Sequence, residues 1–243
     1  MRRRFFVDKF EGLRAELRGE AAEHLGRVLR AEPGQLYELS DGKTVWLARV
    51  EKVASGRTHG AIEFSLVEPI AAVEPELKIS LLLSIVKFDR MEWCLEKATE
   101  LCVSKIIPLA AVRSEKALIL AARKRAERWR KILLESAQQS RRLRPPELLP
   151  IATSEDAFCE AGGGTRILLS ERPDAPQLQK VLWGAHEQEI CLAIGPEGGW
   201  TDAEFAAASK NGFREASLGR EILRTETAVI AALAVVRYAL GEH

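Results

Sequence analysis

The chain has 243 residues, of which 47% are hydrophobic and 29% charged, and its formal net charge is +1. This balance excludes a disordered chain and indicates one large or two modest globular domains, while a net charge near zero says nothing about partners. No segment approaches the roughly 20 apolar residues of a membrane span, and no apolar run follows the first arginines as in a secretory signal. The cysteines and histidines lack the spacing of zinc ligands, so we expect no metal site; free thiols suit a cytoplasmic protein.

Residues 1–72 have the pattern of short strands separated by turns. Two apolar segments, 36–39 and 44–50, flank Asp41-Gly42, which is a favoured hairpin tip. Residues 20–29 have the spacing of a short amphipathic helix. Many short strands with one helix predict a small β-barrel domain.

A final alternating strand at 61–67 is followed by an apparent linker between Pro69 and Pro75, and the pattern then changes. Strands are predicted at 79–86, 106–107, 148–149, 167–169 and 190–194, and helices around 91–101, at 118–139, from 154, at 177–183 and from 201. Regular alternation of strands and helices predicts an α/β domain with a mostly parallel, doubly wound sheet over 73–243.

Two glycine-bearing loops near the C-terminus follow predicted strands. Residues 195–199 read Gly-Pro-Glu-Gly-Gly and precede a capping box at 201–204, and Gly219 precedes a long helix that begins near Arg224. Loops at strand carboxyl ends are where open α/β sheets bind ligands, although plain connections also look like this. The glycines match neither the dinucleotide nor the triphosphate motif. Arginine is unfavourable at the start of a helix, so Arg224 needs another explanation.

The segment 113–144 is basic, with eleven lysines and arginines against three glutamates. A solvated helix face also carries charge, but here one sign dominates. Lysines and arginines clustered on one element are the usual footprint of contact with nucleic-acid phosphates, so we expect this surface to meet RNA or DNA.

Seven segments together resemble the ribosomal small-subunit RNA uridine-N3 methyltransferases of the SPOUT class. They are Met1-Arg-Arg-Arg-Phe-Phe6, Asp89-Arg-Met-Glu-Trp-Cys-Leu-Glu-Lys-Ala-Thr-Glu-Leu101, Ile107-Pro108, Arg128-Trp129-Arg-Lys-Ile132, Gln139-Ser140-x-Arg142, Ile-Gly-Pro-Glu-Gly-Gly at 194–199 and Leu-Gly-x-x-Ile-Leu-Arg-Thr-Glu-Thr-Ala at 218–228. The chain departs from this family at Glu221, where arginine is usual, and at Cys102, where glycine is common.

The resemblance implies a PUA-like, RNA-binding β-barrel over 1–72 and a SPOUT methyltransferase domain with a C-terminal deep trefoil knot over 73–243. It also implies that S-adenosylmethionine binds, bent, in a cleft made by three loops. The cofactor-binding residues that follow are Leu169, Ser170, Glu171, Ile194, Gly195, Pro196, Gly198, Gly199, Leu218, Gly219, Ile222 and Leu223. We expect the glycines to admit the cofactor closely and the apolar side chains to form its walls.

The implied reaction is methyl transfer to N3 of a specific uridine in 16S ribosomal RNA of the small subunit. Arg224 would stabilise the uracil anion, and Glu197 or Glu226 would accept the N3 proton or orient Arg224. The expected RNA contacts are Arg2, Arg3, Arg4, Arg113, Lys124, Arg128, Arg141 and Arg142.

Members of this class are usually homodimers, and the apolar helix at 228–240 is the expected interface. Two alternatives remain open from the sequence: a non-catalytic RNA-binding factor of ribosome assembly, and a SPOUT methyltransferase that acts on another RNA. The fold alone does not decide among the three.

Overall fold

A computed structural model describes residues 3–54, 60–184 and 188–241. The chain divides into two compact units, the first made of Met1–Glu74 and Ala137–Pro145, the second of Pro75–Ser136 and Pro146–His243. A single cut in the sequence therefore does not separate the two units, because the segment Ala137–Pro145 belongs to the first. The functional division at residues 72 and 73 stays a prediction.

The first unit is built on a curled five-stranded half-barrel with strand order β1-β3-β4-β5-β2. Its strands are β1 (Arg4–Phe6), β2 (Arg14–Arg18), β3 (Leu36–Ser40), β4 (Val45–Ala54) and β5 (Ala61–Ile70). β1 runs parallel to β3, and the other neighbours are antiparallel. Phe5, Leu25, Leu39 and Phe64 are buried in the core of this unit. The prediction of a small curled β domain is confirmed.

One local prediction in the first unit was right in position but not in helix type, and another was wrong. The helix expected at 20–29 is α1 (Gly19–Glu23) followed by a π-helical segment at His24–Val28. A π-helix has a wider turn than an α-helix, and the 3.6-residue spacing of apolar residues does not reveal it. Pro69, assigned to a linker, lies inside β5 opposite Trp46. Proline is tolerated there because the other neighbour of β5, strand β2, pairs only as far as Ser65.

The second unit contains a parallel sheet, as the alternation of strands and helices predicted. Its described strands are β6 (Lys78–Ser84), β7 (Lys105–Ala110), β8 (Glu147–Leu148), β9 (Ala152–Thr153), β10 (Thr165–Leu169), β11 (Glu189–Ile194) and β12 (Arg214–Ala216). The order is β12-β10-β11-β6-β7-β8, with β9 also paired to β7. Successive residues of β6 enter different apolar clusters, Leu81 and Leu83 in one and Leu82 in the other, so both faces of the sheet are covered.

Seven described α-helices belong wholly or partly to this unit. They are α2 (Phe88–Glu100), α3 (Lys116–Ala122), α4 (Ala126–Gln139), α5 (Ser154–Cys159), α6 (Leu178–Leu182), α7 (Asp202–Lys210) and α8 (Thr225–Leu240). The predicted continuous helix at 118–139 was wrong, because a 3-10 turn at Arg123–Arg125 separates α3 from α4. No glycine or proline marks this break. Arg125 lies over the ring of Phe88 on α2, with the guanidinium carbon 4.7 Å from the ring centroid.

Within the described ranges, no helix is long and apolar enough to cross a membrane. No group of three or more His, Cys, Asp or Glu side chains in the same ranges is arranged to hold a metal ion. The four cysteines are free: Cys94 and Cys191 are buried, Cys102 is half-buried and Cys159 is exposed. The trefoil knot stays a prediction.

Candidate active site

Loops that follow β10, β11 and β12 line one cavity of about 590 Å³. The three strands are neighbours in the parallel sheet, so their carboxyl ends meet at the same edge. Every residue predicted to bind the cofactor lines this cavity: Leu169, Ser170, Glu171, Ile194, Gly195, Pro196, Gly198, Gly199, Leu218, Gly219, Ile222 and Leu223. The structure therefore brings together the three loops that the sequence singled out.

Trp200 anchors the loop that follows β11. Its indole Nε1 donates a hydrogen bond to the carbonyl oxygen of Leu169, at 2.9 Å, on the neighbouring loop. A Cβ atom at position 195 would lie 3.1 Å from the Trp200 ring. Gly195 therefore leaves room for the Trp200 ring, and its expected close approach to the cofactor stays a prediction.

The same loop is held by Arg113, which the sequence suggested as an RNA contact. Its Nη1 donates to the carbonyl oxygens of Gly198, at 2.9 Å, and Trp200, at 3.2 Å. Arg113 also lines the cavity. In the structure, Arg113 holds the loop after β11 in shape. The sequence suggested phosphate contact instead, because Arg113 belongs to a basic segment.

Helix α7 begins at the capping box that the sequence predicted, with Thr201 and Glu204 exchanging hydrogen bonds. The buried Glu204 carboxylate also accepts hydrogen bonds from the backbone N–H of Val112, at 3.0 Å, and the hydroxyl of Ser154, at 2.8 Å. Burial alone would raise the pKa of Glu204, but these hydrogen bonds outweigh it and hold the pKa below its ordinary value. Glu204 therefore anchors the end of the cavity loop as a carboxylate.

The loop after β12 turns at Gly219, whose φ of +149° suits glycine. The hydroxyl of Ser217 donates to the carbonyl oxygen of Gly219 at 2.7 Å and accepts from its N–H at 3.2 Å. Ile222, expected to form an apolar wall, lies at the cavity with 77% of its surface exposed. Arg220 and Glu221, the site of the departure from the family, both line the cavity and are exposed.

Arg224 is the N-cap residue of α8, with an extended backbone, and its exposed side chain lines the cavity. Among the described residues no hydrogen bond or ion pair engages its guanidinium. As the N-cap residue, Arg224 lies at the positive end of the α8 dipole, which is unfavourable for a cation, as the sequence indicated. The arrangement leaves a free cation at the cavity.

The two candidate carboxylates differ in position. Glu197 lines the cavity and forms an ion pair with Arg90 of α2. Glu226 is not among the lining residues, and its Oε1 lies 3.8 Å from Nε of the same Arg90. Sequence reasoning missed Arg90, although it belongs to the segment 89–101 that carries the family resemblance.

Cys94 lies one helical turn beyond Arg90 and is buried. Burial, with a smaller contribution from the charge of Glu226, raises the pKa of the Cys94 thiol to about 12. The thiol is therefore protonated at neutral pH, which excludes it as a proton acceptor in this state.

A second group at the cavity also lay outside the sequence prediction. The guanidinium carbon of Arg172 lies 3.6 Å from the centroid of the Phe205 ring, and its Nη2 is 2.6 Å from Asp202. All three line the cavity, from the loop after β10 and from α7. No motif in the sequence pairs residues so far apart, so only the fold reveals this contact.

The predicted RNA-binding arginines near the N-terminus have different environments. Arg2 lies outside the described residues. Arg3 is exposed, with Nη1 at 3.5 Å from Nε2 of His24. Arg4 is buried: Nη2 donates to Glu38 at 2.9 Å, and Nη1 donates to the carbonyl oxygen of Arg141 at 2.6 Å. Arg4 therefore has a structural place in the first unit.

The predicted RNA contacts in the basic segment also differ among themselves. Lys124 is exposed. Arg128 is exposed but makes two hydrogen bonds of 2.7 Å with Glu92 on α2. Arg141 has a partly exposed side chain and a φ of +55°, and Arg142 is half-buried. Of these four, Lys124, Arg128 and Arg141 are exposed, and Nη1 of Arg141 lies 3.7 Å from Oε1 of Glu38.

Comparisons with known proteins show which family the chain resembles. A family model described as an RNA methyltransferase domain matches residues 73–237. The chain is 34% identical, over 88% of its length and 69% of the relative's, to the ribosomal RNA small subunit methyltransferase E of Synechocystis. A crystal structure of ribosomal RNA small subunit methyltransferase E from Neisseria gonorrhoeae, bound to S-adenosylmethionine, covers 99% of both chains with 31% identity and a TM-score of 0.85. A Legionella pneumophila methyltransferase in complex with the same cofactor covers both chains fully, with 30% identity and a TM-score of 0.88.

Proposed function

The chain belongs to the RNA methyltransferase family that includes the ribosomal RNA small subunit methyltransferases E, and on this premise we propose that it methylates N3 of a specific uridine in 16S ribosomal RNA. S-adenosylmethionine is the proposed methyl donor. The observation that carries the proposal is the free guanidinium of Arg224 at a cavity formed by the three predicted loops. A substrate in the small ribosomal subunit also makes this a cytoplasmic protein.

The residues around the cavity fit the proposed cofactor. Its volume of about 590 Å³ lies in the range of small-molecule sites. Leu169, Ile194, Leu218 and Leu223 offer apolar surface to the adenine ring, and the backbone groups of the same loops offer hydrogen bonds to its polar edges. The cofactor supplies an electrophilic methyl group, as the structures of the Neisseria and Legionella relatives with bound S-adenosylmethionine support.

The chemistry at uridine requires loss of the N3 proton, because the neutral nitrogen is a poor nucleophile. Removal of that proton places negative charge on N3 and on the two adjacent carbonyl oxygens. An unpaired guanidinium stabilises such charge electrostatically, which is the role proposed for Arg224. Glu197 is preferred over Glu226 as proton acceptor, because Glu197 lines the cavity and Glu226 does not.

The proposed RNA contacts are narrower than the sequence suggested. Lys124, Arg128, Arg141 and Arg142 keep this role with Arg2 and Arg3, while Arg4 is buried and Arg113 binds the loop after β11. Phosphate contacts of this kind position the RNA without reading its sequence. The target uridine must present its Watson–Crick edge, so it is unpaired or flipped out of a helix.

The test measures methyl transfer to small ribosomal subunits that lack the modification, with the modified base located in the RNA. Arg224→Ala should lower turnover by a factor of roughly 10² to 10³, as expected for loss of one electrostatic contact to the reacting group. Its dissociation constant for S-adenosylmethionine should stay within about threefold of wild type, since the loops that line the cavity are unchanged.

Lys210→Ala is the matched control, because Lys210 is an exposed cation on α7 that does not line the cavity. Its turnover should equal that of wild type. Modification at a different atom or in a different RNA would contradict the proposed substrate. Full turnover by Arg224→Ala would remove Arg224 from the mechanism.

A further inference from the structure

Arg90, on the first turn of α2, contacts the loop after β11 and the first turn of α8. Nη1 of Arg90 donates to Oε1 of Glu197, on the loop after β11, and Nε lies 3.8 Å from Oε1 of Glu226, at the start of α8. Strand β10 lies between β11 and β12 in the sheet order. No ladder hydrogen bond therefore joins β11 directly to β12, and the Arg90 side chain supplies a link between the segments that follow them.

The contact to Glu226 is the more enclosed of the two. The side chains of Arg90, Glu226 and Glu197 are 29%, 17% and 44% exposed. Oε2 of Glu226 is buried and has no hydrogen-bond partner among the described residues. When a carboxylate has a buried oxygen without a hydrogen-bond donor, its stability as an anion depends strongly on a nearby cation. For Glu226 that cation is Arg90.

Glu226 is two residues from Arg224, within the same start of α8. The neighbouring Thr225 is buried, and α8 packs along α2. A fixed Glu226 side chain therefore limits how far the first turn of α8 can rotate about the helix axis. The same limit applies to the backbone of Arg224, and so to the position of its side chain at the cavity. Because Arg90 holds Glu226 and Glu197 together, it ties the Arg224 end of the cavity to the loop after β11.

The loop after β11 does not need Arg90 in order to fold. Arg113 binds two of its carbonyl oxygens, and Trp200 anchors it to Leu169. Loss of Arg90 should therefore leave the cavity walls in place and change mainly their alignment with Arg224.

We propose that Arg90 is a positioning residue that aligns Arg224 with the cofactor loop by bridging Glu197 and Glu226. This inference rests on the proposed function. It adds Arg90 to the residues needed for methyl transfer, as one that acts through Glu197 and Glu226. A displacement of about 1 Å at a reacting group can cost on the order of 100-fold in rate, so small shifts of Arg224 matter.

The test compares Arg90→Met, Arg90→Lys and Lys97→Met. Lys97 is the matched control, because it is also a cation on α2 between two carboxylates, Glu96 and Glu100. Arg90→Met should lower kcat by roughly 10- to 100-fold at saturating cofactor and RNA, while the dissociation constant for S-adenosylmethionine changes by less than about fivefold. Arg90→Lys should recover part of kcat, and Lys97→Met should match wild type.

The double variant Arg90→Met with Glu226→Gln separates positioning from charge compensation. It neutralises the buried carboxylate, so thermal stability should return towards the wild-type value while kcat stays low. Recovery of both would overturn the inference, as would full kcat in Arg90→Met or parallel loss of cofactor binding and kcat. Absence of methyl transfer by wild-type protein would instead refute the proposed function.

Hydrogen exchange gives a readout that does not depend on activity. In the cofactor-free protein, Arg90→Met should speed amide exchange in the first turn of α8, at 225–229, relative to Lys97→Met. Unchanged exchange there would contradict a link between Arg90 and α8.

Discussion

Arg141 and Cys102 share a backbone conformation that usually belongs to glycine. Their φ angles are +55° and +61°, and each follows the C-cap of a helix, α4 and α2. In both places the next residue donates back to the helix, Arg142 to Ala137 and Val103 to Ala98, as in a Schellman motif. A left-handed φ at Cys102 is a conformation that glycine adopts without strain, which accounts for the glycine that is common at this place in the resembled family.

An arginine in this conformation costs about 1 kcal/mol or more relative to glycine. The Arg141 side chain lies with Nη1 3.7 Å from Oε1 of Glu38. The carbonyl oxygen of Arg141 accepts a hydrogen bond from the buried Arg4, which fixes the turn. We expect Arg141→Gly to keep stability within about 1 kcal/mol of wild type and to weaken RNA binding, with a salt dependence reduced by about one phosphate contact.

Thermal unfolding and binding to small-subunit RNA at several salt concentrations check this prediction. Arg30→Gly is the control, because Arg30 has a φ of +52° outside the proposed RNA contacts. Equal RNA affinity in Arg141→Gly and wild type would show that the side chain has no part in binding.

At the scale of elements, the site depends on how α7 and its preceding loop are anchored. Glu204 connects the capping box to Val112 and Ser154, which lie before α3 and at the start of α5. The capping box was readable from the sequence because its partners are three residues apart. The bonds to Val112 and Ser154 were not, because they join residues separated by 92 and 50 positions.

The lowered pKa of Glu204 makes the free energy of unfolding depend on pH in the acid range. The pKa of Glu204 is lower in the folded state than in the unfolded state. The contribution of Glu204 to the free energy of unfolding is therefore complete above the unfolded value, near pH 4.5, and is lost as the pH falls through the folded pKa. Glu204→Gln should cost about 1 to 3 kcal/mol at pH 7, because charge-assisted hydrogen bonds are lost. The cost should shrink as the pH falls below 4.

Urea unfolding at several pH values measures this difference. Glu160→Gln, at an exposed position, is the control and should leave the stability at pH 7 unchanged. A constant difference between Glu204→Gln and wild type from pH 7 to pH 3 would contradict the role of the ionised carboxylate.

At the scale of the whole molecule, α8 is the element with unexplained apolar surface. Val229, Ala232, Leu233 and Val236 are buried against the unit, whereas Tyr238 is 79% exposed. Exposed aromatic surface on an otherwise apolar helix favours a protein partner, and we propose a second copy of the chain.

Sedimentation at micromolar concentration should therefore give the mass of a dimer. Tyr238→Glu should shift the protein towards monomer, because it places a charge in the proposed interface. Leu120→Glu, at an equally exposed apolar position on α3, should leave the dimer intact. A monomeric mass for wild-type protein would contradict this prediction.

The sequence predicted the parallel sheet because strands and helices alternate, and it indicated a ligand site at two glycine-bearing loops because parallel strands present their carboxyl ends at one edge. The third loop, at 169–171, came only from the family resemblance. It did not predict that 137–145 returns to the first unit. Nor did it assign Arg90 and Arg113 to the loop after β11, since their partners there are 107 and 85 residues away. Long-range contacts of this kind depend on tertiary packing that periodicity does not encode.

The central claim is that the cavity formed by the loops after β10, β11 and β12 binds S-adenosylmethionine. Calorimetric titration of the purified chain tests it most directly, with Leu218→Trp to fill the cavity and Leu120→Trp as a control at an exposed position. We predict saturable binding at one site per chain in wild type and in Leu120→Trp, and loss of binding in a folded Leu218→Trp protein. Absence of binding up to millimolar cofactor, or unchanged binding by Leu218→Trp, would contradict the account.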